Sequence, residues 1–370
     1  MTGNGKRELI VVRGAGDVAI ESEELPPVPD GGLLLHTLAT GVSAGTELTF
    51  VKGDHPGVSR FHDAELGLFR PAEPDGVPIG TYPVRRLGYM EVARVAETRT
   101  RGFAVGDVVA TTYGHATAHV SDPVREHVVR LPAELDPVLG TYVAHLGPIC
   151  ANGLLHAAAD AVGPQVTSLG AGVADRAVAI TGAGLIGMVT ALFVREHGAH
   201  EVVVIDEDPR RRALAERLGF EALDADDDPG LALKRRWRHG PADHGADVVF
   251  QCRGRARALA AALRAARPQA PIVDLAFYTD GAEPVRLGEE FHHNGLRLVC
   301  AQIGRTPRGT APWWDRSRLS VETLRLLERA GDEVRQHLVT DVVPFSDGPR
   351  LLLDVAGRRR HVVSAVLTVS

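Results

Sequence analysis

A glycine-rich hexapeptide, Gly-Ala-Gly-Leu-Ile-Gly at residues 182–187, constrains the fold of this chain more than any other segment. It follows the apolar run AVAIT and opens the helical pattern LIGMVTALFVREHG, the setting of a phosphate-binding turn. The first glycine permits a tight turn, the second lets backbone approach a diphosphate, and the third lets helix and strand pack closely. The alternative is a glycine turn in an unrelated α/β domain. We expect a diphosphate at the N–H groups of Gly182, Gly184, Leu185, Ile186 and Gly187.

An acidic residue follows at the distance typical of ribose recognition. Asp206 ends the apolar run EVVVID, about 20 residues after the glycines. A carboxylate there accepts hydrogen bonds from adenosine ribose and repels a 2′-phosphate, which favours NAD over NADP. Arg211, in the arginine run 210–212, is expected to stack on adenine or meet a phosphate. Two later strand ends, at Cys252 and Phe277, are expected to line the same dinucleotide-binding crevice at the carboxyl edge of the sheet. The alternative is that both are ordinary strand-to-loop turns.

The patterns divide the chain into two domains. Residues 1–145 contain short apolar runs cut by Gly and Pro, which predicts a β-rich domain, with a long loop or lid over 52–86. Over 146–304, strands alternate with helices, and continuous Val/Ile runs predict a doubly wound parallel sheet covered on both faces. The tail, 305–370, contains a tryptophan loop, a helix from about Val321 and a terminal strand. It either finishes the sheet domain or, as we expect, returns to complete the first.

Composition excludes several protein classes. The 370 residues carry a net charge of −6, and 44% are hydrophobic, which is ordinary globular composition without attraction for nucleic acid. The three cysteines form no CxxC pair, so a disulfide framework or a four-cysteine zinc site is not expected. No apolar run is long enough to span a membrane. We therefore expect a soluble, reduced, cytoplasmic protein that acts on a small molecule.

The chain as a whole resembles the medium-chain dehydrogenase/reductase superfamily. The segments that carry the likeness are GVSAGTELTFVKG (41–53), LGYMEVARV (87–95), GFAVGDVVA (102–110), ICANGLLHA (149–157), GAGLIG (182–187) and DVVFQCRG (247–254). The resemblance implies a GroES-like catalytic domain, a Rossmann cofactor domain and an active site in the cleft between them. It also implies a homodimer or homotetramer.

The chain departs from the zinc-dependent members of that superfamily. Where they carry a Cys, a His and a Cys or Glu, this sequence has Ser43 and Ala44, Tyr89, and Ile149. A hydroxyl, a phenol and an alkyl group cannot form the usual zinc shell, and the four-cysteine structural lobe is missing. We therefore expect no zinc at either site. The SAGTE sequence, the Gly-Tyr pair and residues 291–304 resemble a zinc-free bacterial subgroup, which includes relatives of bacteriochlorophyllide dehydrogenase and secondary-metabolism enzymes.

Without a metal, side chains must polarise the substrate oxygen. Each candidate has a structural alternative: Tyr89 donates a hydrogen bond to a carbonyl or packs in the core, and His145 is an acid/base or a helix-start residue. Thr46 passes a proton towards the cofactor ribose, as the matching family residue does, or caps a turn. Glu47 orients a neighbour or plays a structural part. The full candidate set is Ser43, Thr46, Glu47, Tyr89, Glu91, His145 and Asn152.

Other aromatic and imidazole groups are less clearly indicated. No spacing singles out His115 or His119. The pair His292–His293 falls on the loop where the two domains are expected to meet, and it either contacts the substrate or, as the favoured alternative, has no such role. The pair Trp313–Trp314 is either a platform for a sugar ring or packing.

Three functions remain open. The first is a zinc-free, NAD(H)-dependent enzyme that interconverts a secondary alcohol and a ketone, on a sugar, cyclitol or secondary metabolite. The second is an ene- or quinone-type reductase of an activated C=C bond. The third is a cofactor-binding protein without catalysis.

Overall fold

The computed structural model describes residues 5–71, 81–279 and 281–369. Its strands are β1 (Lys6–Gly14), β2 (Asp17–Glu24), β3 (Leu33–Val42), β4 (Arg60–Asp63), β5 (Leu68–Pro71), β6 (Glu91–Thr98), β7 (Val108–Thr111), β8 (Ala118–Ser121), β9 (Val128–Arg130), β10 (Ala177–Thr181), β11 (Glu201–Asp206), β12 (Glu221–Asp224), β13 (Arg238–Gly240), β14 (Asp243–His244), β15 (Val248–Gln251), β16 (Pro271–Asp274), β17 (Arg297–Cys300), β18 (Val339–Pro344) and β19 (Ser364–Thr368). Its α-helices are α1 (Glu47–Lys52), α2 (Pro56–Ser59), α3 (Pro137–Gly140), α4 (Leu146–Val162), α5 (Leu185–Glu196), α6 (Pro209–Arg217), α7 (Pro229–Arg236), α8 (Ala256–Ala265), α9 (Arg316–Glu333) and α10 (Gly348–Ala356).

The first unit, Met1–His145 with Val339–Ser370, is β-rich, as the sequence predicts. Its main sheet has the order β18-β19-β3-β6-β7-β9, and β8 also pairs with β3. Strand β3 alternates buried and partly buried residues along much of its length, which is typical of a strand with one face on the core. The predicted loop over 52–86 contains α1's end, α2 and the hairpin β4–β5, while residues 72–80 lie outside the described residues.

The second unit, Leu146–Leu338, is built on a parallel sheet of order β12-β11-β10-β15-β16-β17. Every residue of β10 is buried, because helices cover both faces. The strand order reverses between β10 and β15, which pair directly. In open α/β sheets, ligands bind at the carboxyl ends of the strands beside such a reversal.

The tail returns to the first unit later than the sequence suggests, at Val339 rather than near residue 305. Helix α9 packs so closely on the start of α4 that a Cβ placed on Gly147 would lie 2.1 Å from Cγ2 of Thr323. The helix also begins earlier than predicted, at Arg316, because the Asp315 side chain accepts the backbone N–H of Arg318 and caps it.

The two adjacent tryptophans have different environments. Trp314 is buried and donates from Nε1 to the carbonyl of Val166 at 2.8 Å, so it serves packing. Trp313 is 61% exposed. Among the described residues, no helix has the length and apolar character needed to cross a bilayer.

Candidate functional site

The glycine turn in the second unit has the geometry that its sequence requires. Gly182 has a φ of +98°, and its N–H donates to the carbonyl of Ile205 at 2.7 Å. A Cβ on Gly187 would lie 1.7 Å from the carbonyl oxygen of Gly182, so only glycine lets α5 approach β10 this closely. The turn therefore places the start of α5 at the carboxyl end of β10.

The start of α5 is open for an anion. Gly184 is the N-cap and provides no side-chain hydrogen bond to the first turn, which begins with Leu185 and Ile186. A Cβ on Gly184 would meet only the Arg211 guanidinium, with Nη1 at 3.4 Å. Exposed N–H groups at a helix N-terminus, together with a neighbouring arginine, favour a phosphate at this position.

A cavity of about 400 Å³ adjoins this turn at the carboxyl ends of the parallel strands. Four of its charged lining residues form two ion pairs. Glu207 binds Arg253, and Arg257 donates to Asp226 at 2.7 Å. Burial alone would raise the pKa of Glu207, but a backbone hydrogen bond and Arg253 hold it below its usual range, so this carboxylate is charged at neutral pH. The lining includes Thr181, Gly182, Ile205, Glu207, Ala225, Asp226, Arg253, Arg255, Ala256 and Arg257.

Asp206 is placed differently from the expectation that its carboxylate faces a ribose. Its side chain is fully buried, where Oδ2 accepts the N–H of Ala183 at 2.7 Å and Oδ1 accepts the N–H of Asp208 at 2.8 Å. Asp206 thus holds the glycine turn, and Glu207 is the strand-end carboxylate that lines the cavity. The Asp206 carboxylate also lies 4.0 Å from Arg211.

The strand ends at Cys252 and Phe277 pack close to glycines near the turn. Cys252 is half-buried, and its Cβ would lie 3.5 Å from a Cβ on Gly187. Phe277 is 43% exposed, and its carbonyl oxygen would lie 2.2 Å from a Cβ on Gly254. Neither side chain is among the residues that line the cavity. No sequence motif points to Glu207, Asp226, Arg255 or Arg257, although each follows a strand within a few positions.

A second polar cluster, in the first unit, centres on Tyr89. Its hydroxyl hydrogen-bonds the hydroxyl of Ser43 and lies 3.5 Å from Oγ1 of Thr46. The Tyr89 ring contacts the imidazole of His145, with centroids 4.2 Å apart. The Glu47 carboxylate accepts the N–H of Ser43 at 2.8 Å. The structure therefore brings together the five side chains that the sequence analysis favours for catalysis.

The environment of Tyr89 keeps its phenol protonated at neutral pH. Burial raises the pKa of Tyr89 above its ordinary value of 10, and the negative charge of Glu47 raises it further. The hydrogen bonds with Ser43 and Thr46 act in the opposite direction but do not reverse the shift. A protonated phenol in such a site can donate a hydrogen bond to a substrate oxygen.

Asn152, His292 and His293 lie outside the Tyr89 cluster as the structure describes it. The amide of Asn152 is buried and donates to the carbonyls of Ala301, Gln302 and Arg305. His292 and His293 form an edge-to-face pair, and both are exposed.

Glu91 is enclosed in the first unit's sheet. Its carboxylate accepts hydrogen bonds from Thr37 and Thr111, each at 2.6 Å, and lies 3.2 Å from Nδ1 of His119. His119 also lies 3.8 Å from Glu126 and stacks on the ring of Tyr113. Glu91 is therefore part of a buried ion-pair cluster and not of the Tyr89 cluster.

This ion-pair cluster should make stability depend on pH. Burial alone would lower the pKa of His119, but Glu91 and Glu126 raise it from 6.5 to about 9. The pKa of His119 is higher in the folded than in the unfolded protein. The stabilisation that protonated His119 provides is therefore complete below pH 6.5 and is lost as the pH rises through about 9. We expect the free energy of unfolding, measured with urea, to fall over this interval by on the order of 1–3 kcal/mol.

Replacing His119 by glutamine should flatten that slope, because the substitution removes the imidazole that titrates between Glu91 and Glu126. An equally steep slope in the His119→Gln protein would contradict the assignment.

Comparisons with known proteins agree with this architecture. Residues 186–311 match the family model described as zinc-binding dehydrogenase. The chain is 27% identical over 312 residues to D-guloside 3-dehydrogenase of Escherichia coli K12, covering 82% of this chain and 83% of that protein.

Solved structures share the fold over nearly the whole chain. The 2R,3R-butanediol dehydrogenase of Bacillus subtilis superposes with a TM-score of 0.73 at 17% identity, covering 98% of this chain and 100% of that one. A proposed zinc-binding dehydrogenase of Sinorhizobium meliloti 1021, bound to NADP, gives 0.72 at 18% identity and covers 99% and 100%.

The family description implies zinc, but the described residues do not fit it. They contain no group of three His, Cys, Asp or Glu side chains placed to hold an ion. Ser43 and Tyr89, at two positions where zinc-dependent relatives carry ligands, hydrogen-bond each other directly. The third position, Ile149, offers no donor atom.

The family-model match and the shared fold agree with each other. The match covers much of the second unit, and the shared architecture extends through the β-rich first unit and the parallel sheet. The chain therefore contains a segment that matches a zinc-binding dehydrogenase model, and as a whole it has the fold of solved dehydrogenases.

Proposed function

We propose that this protein is a zinc-independent, NAD(H)-dependent oxidoreductase that interconverts a secondary alcohol and a ketone on a polyhydroxylated substrate. The observation that carries the proposal is the hydroxyl cluster of Ser43, Thr46 and Tyr89, which stands where a metal site would be expected. The open start of helix α5 at Gly184 is the observation that favours a dinucleotide as the cofactor. A nicotinamide dinucleotide, when bound, supplies or accepts the hydride.

The first unit's side chains handle the proton. In ketone reduction, the Tyr89 phenol donates a hydrogen bond to the carbonyl oxygen and then transfers its proton to the alkoxide. The hydroxyls of Ser43 and Thr46 contact the phenolic oxygen and stabilise the negative charge left on it. Water then returns the proton to the phenolate. In alcohol oxidation the steps are reversed, and the phenol must first lose its proton to water before it accepts the proton of the alcohol.

The charges of the second unit's cavity support NAD over NADP. Glu207 lines the cavity beside Asp206, so the end of β11 carries two carboxylates. The arginines Arg253 and Arg257 are already paired with Glu207 and Asp226. A 2′-phosphate that bound Arg253 or Arg257 would have to displace these carboxylates, whereas ribose hydroxyls can donate to them.

Removal of metal ions should leave turnover intact. Because hydroxyl groups replace the ligands that zinc requires, exhaustive chelation is expected to change kcat less than about twofold. The measurement is the rate of nicotinamide reduction before and after chelation, with zinc content determined on the same samples. Loss of activity that only added zinc restores would refute the metal-free assignment.

The substrate class can be tested directly. The relative named D-guloside 3-dehydrogenase supports a glycoside or polyol substrate, and the hydroxyl-rich cluster can hydrogen-bond one. We expect NAD reduction with members of a panel of polyols, cyclitols and glycosides, and a ketone product. Saturation of an enone by NADH, without alcohol oxidation, would instead establish an ene-type reductase.

A further inference from the structure

His115 joins two segments of the Tyr89 cluster, although no sequence pattern indicates it. The side chain is 2% exposed. Its Nε2 hydrogen-bonds Oε2 of Glu47 at 2.8 Å, and its Nδ1 hydrogen-bonds the hydroxyl of Thr40 at 2.9 Å. Both ring nitrogens therefore have partners, and one partner belongs to the segment that contains Ser43.

Glu47 carries this connection to Ser43. Its carboxylate is buried, and while Oε2 faces His115, Oε1 accepts the backbone N–H of Ser43 at 2.8 Å. The Glu47 carboxylate thus links the backbone N–H of Ser43 to the imidazole of His115 by two hydrogen bonds. A shift of His115 would move the acceptor that positions Ser43.

The same imidazole also contacts the turn that carries Tyr89. Gly88 has a φ of +90°, and a Cβ placed there would lie 3.0 Å from both Cε1 and Nε2 of His115. The backbone N–H of His115 donates to the carbonyl of Leu87 at 2.7 Å. The ring and backbone of His115 therefore fix the residues immediately before Tyr89.

We propose that His115 is a positioning residue that holds the Ser43 and Tyr89 hydroxyls within hydrogen-bond distance by binding Glu47 on one side and the Leu87–Gly88 turn on the other. The effect of His115 on the reaction rate rests on the proposed function, whereas its effect on the positions of the two hydroxyls does not. Small displacements of an acid from a substrate oxygen cost up to about 100-fold in rate.

The test compares two substitutions. In His115→Phe the volume is filled but both ring hydrogen bonds are lost, so we expect kcat to fall about 10- to 100-fold, with the Kd for NADH unchanged. In His115→Gln the amide can still donate to Glu47, so kcat should recover to within about fivefold of the unmodified protein. His119→Gln, which removes a buried His–Glu contact outside the Tyr89 cluster, is the matched control.

A second measurement does not depend on turnover. The ionisation of Tyr89 is followed by tyrosinate absorbance, as the difference between each protein and the same protein with Tyr89→Phe. We expect His115→Phe to lower the pKa of Tyr89 towards its ordinary value, because a loosened cluster admits water, and we expect His119→Gln to leave it unchanged.

The outcomes are distinguishable. An unchanged Tyr89 titration in His115→Phe, or equal losses of kcat in the Phe and Gln variants, would overturn the positioning role. If His115→Phe does not fold, His115→Leu takes its place in the comparison with His115→Gln, since leucine also removes both ring hydrogen bonds. If no protein oxidises any polyol, the proposed function fails, but the titration still decides the role of His115.

Discussion

Replacing Tyr89 by phenylalanine should lower kcat by about 100- to 1,000-fold, the range typical of losing a general acid. The substitution removes one oxygen and keeps the ring, so the contact with His145 is retained. What disappears is the protonated hydroxyl that Ser43 and Thr46 contact. Steady-state kinetics with the preferred polyol, in both directions, provides the measurement, and the Kd for NADH should be unaffected.

Tyr113→Phe is the matched control for this substitution. It also removes a tyrosine hydroxyl with a side-chain partner, since Arg7 donates to the Tyr113 hydroxyl at 2.8 Å, but that tyrosine stacks on His119. We expect kcat to stay within about twofold of the unmodified value. If Tyr89→Phe behaves like Tyr113→Phe, the phenol is not the proton donor and another group polarises the substrate oxygen.

Substituting Gly184 by alanine should weaken dinucleotide binding by on the order of 10- to 100-fold, or about 1.4–2.8 kcal/mol. The folded protein can accommodate the methyl group, because its nearest neighbour is the far end of Arg211, 3.4 Å away. The methyl group would occupy the space through which a diphosphate approaches the first turn of α5. Calorimetric titration with NADH measures the change.

Gly240→Ala provides the control, since a Cβ there would have no atom within 4 Å. That protein should bind NADH like the unmodified one and should unfold at the same urea concentration as Gly184→Ala. Unchanged affinity in Gly184→Ala would mean that the diphosphate does not lie against this glycine.

The parallel sheet was predictable from sequence because its signals are local. The runs AVAIT and EVVVID are continuous and apolar, as strands buried on both faces must be, and the glycine motif lies between the first and its helix. The return point of the tail was not predictable, because it depends on how α9 packs against Gly147, far away in sequence. The start of α9 was missed, although Asp315 is a typical N-cap.

The candidate site was predictable to a similar extent. Ser43, Thr46, Glu47, Tyr89 and His145 came from motif positions, and the structure brings them together. His115 gave no signal, because its partners Thr40 and Glu47 are more than 60 positions away and pair with it only through the folded sheet. Asp206 shows that a motif can locate a residue without predicting the direction of its side chain. Its position in the motif was recognised, but the direction of its carboxylate depends on which backbone N–H groups the turn presents.

The most direct test of the account is a calorimetric titration of the intact, metal-depleted protein with NAD, NADH and NADP. We expect saturable binding of NAD and NADH at one site per chain, with Kd values between about 1 μM and 1 mM, and weaker binding of NADP. The absence of heat with both NAD and NADH, confirmed by equilibrium dialysis, would contradict it.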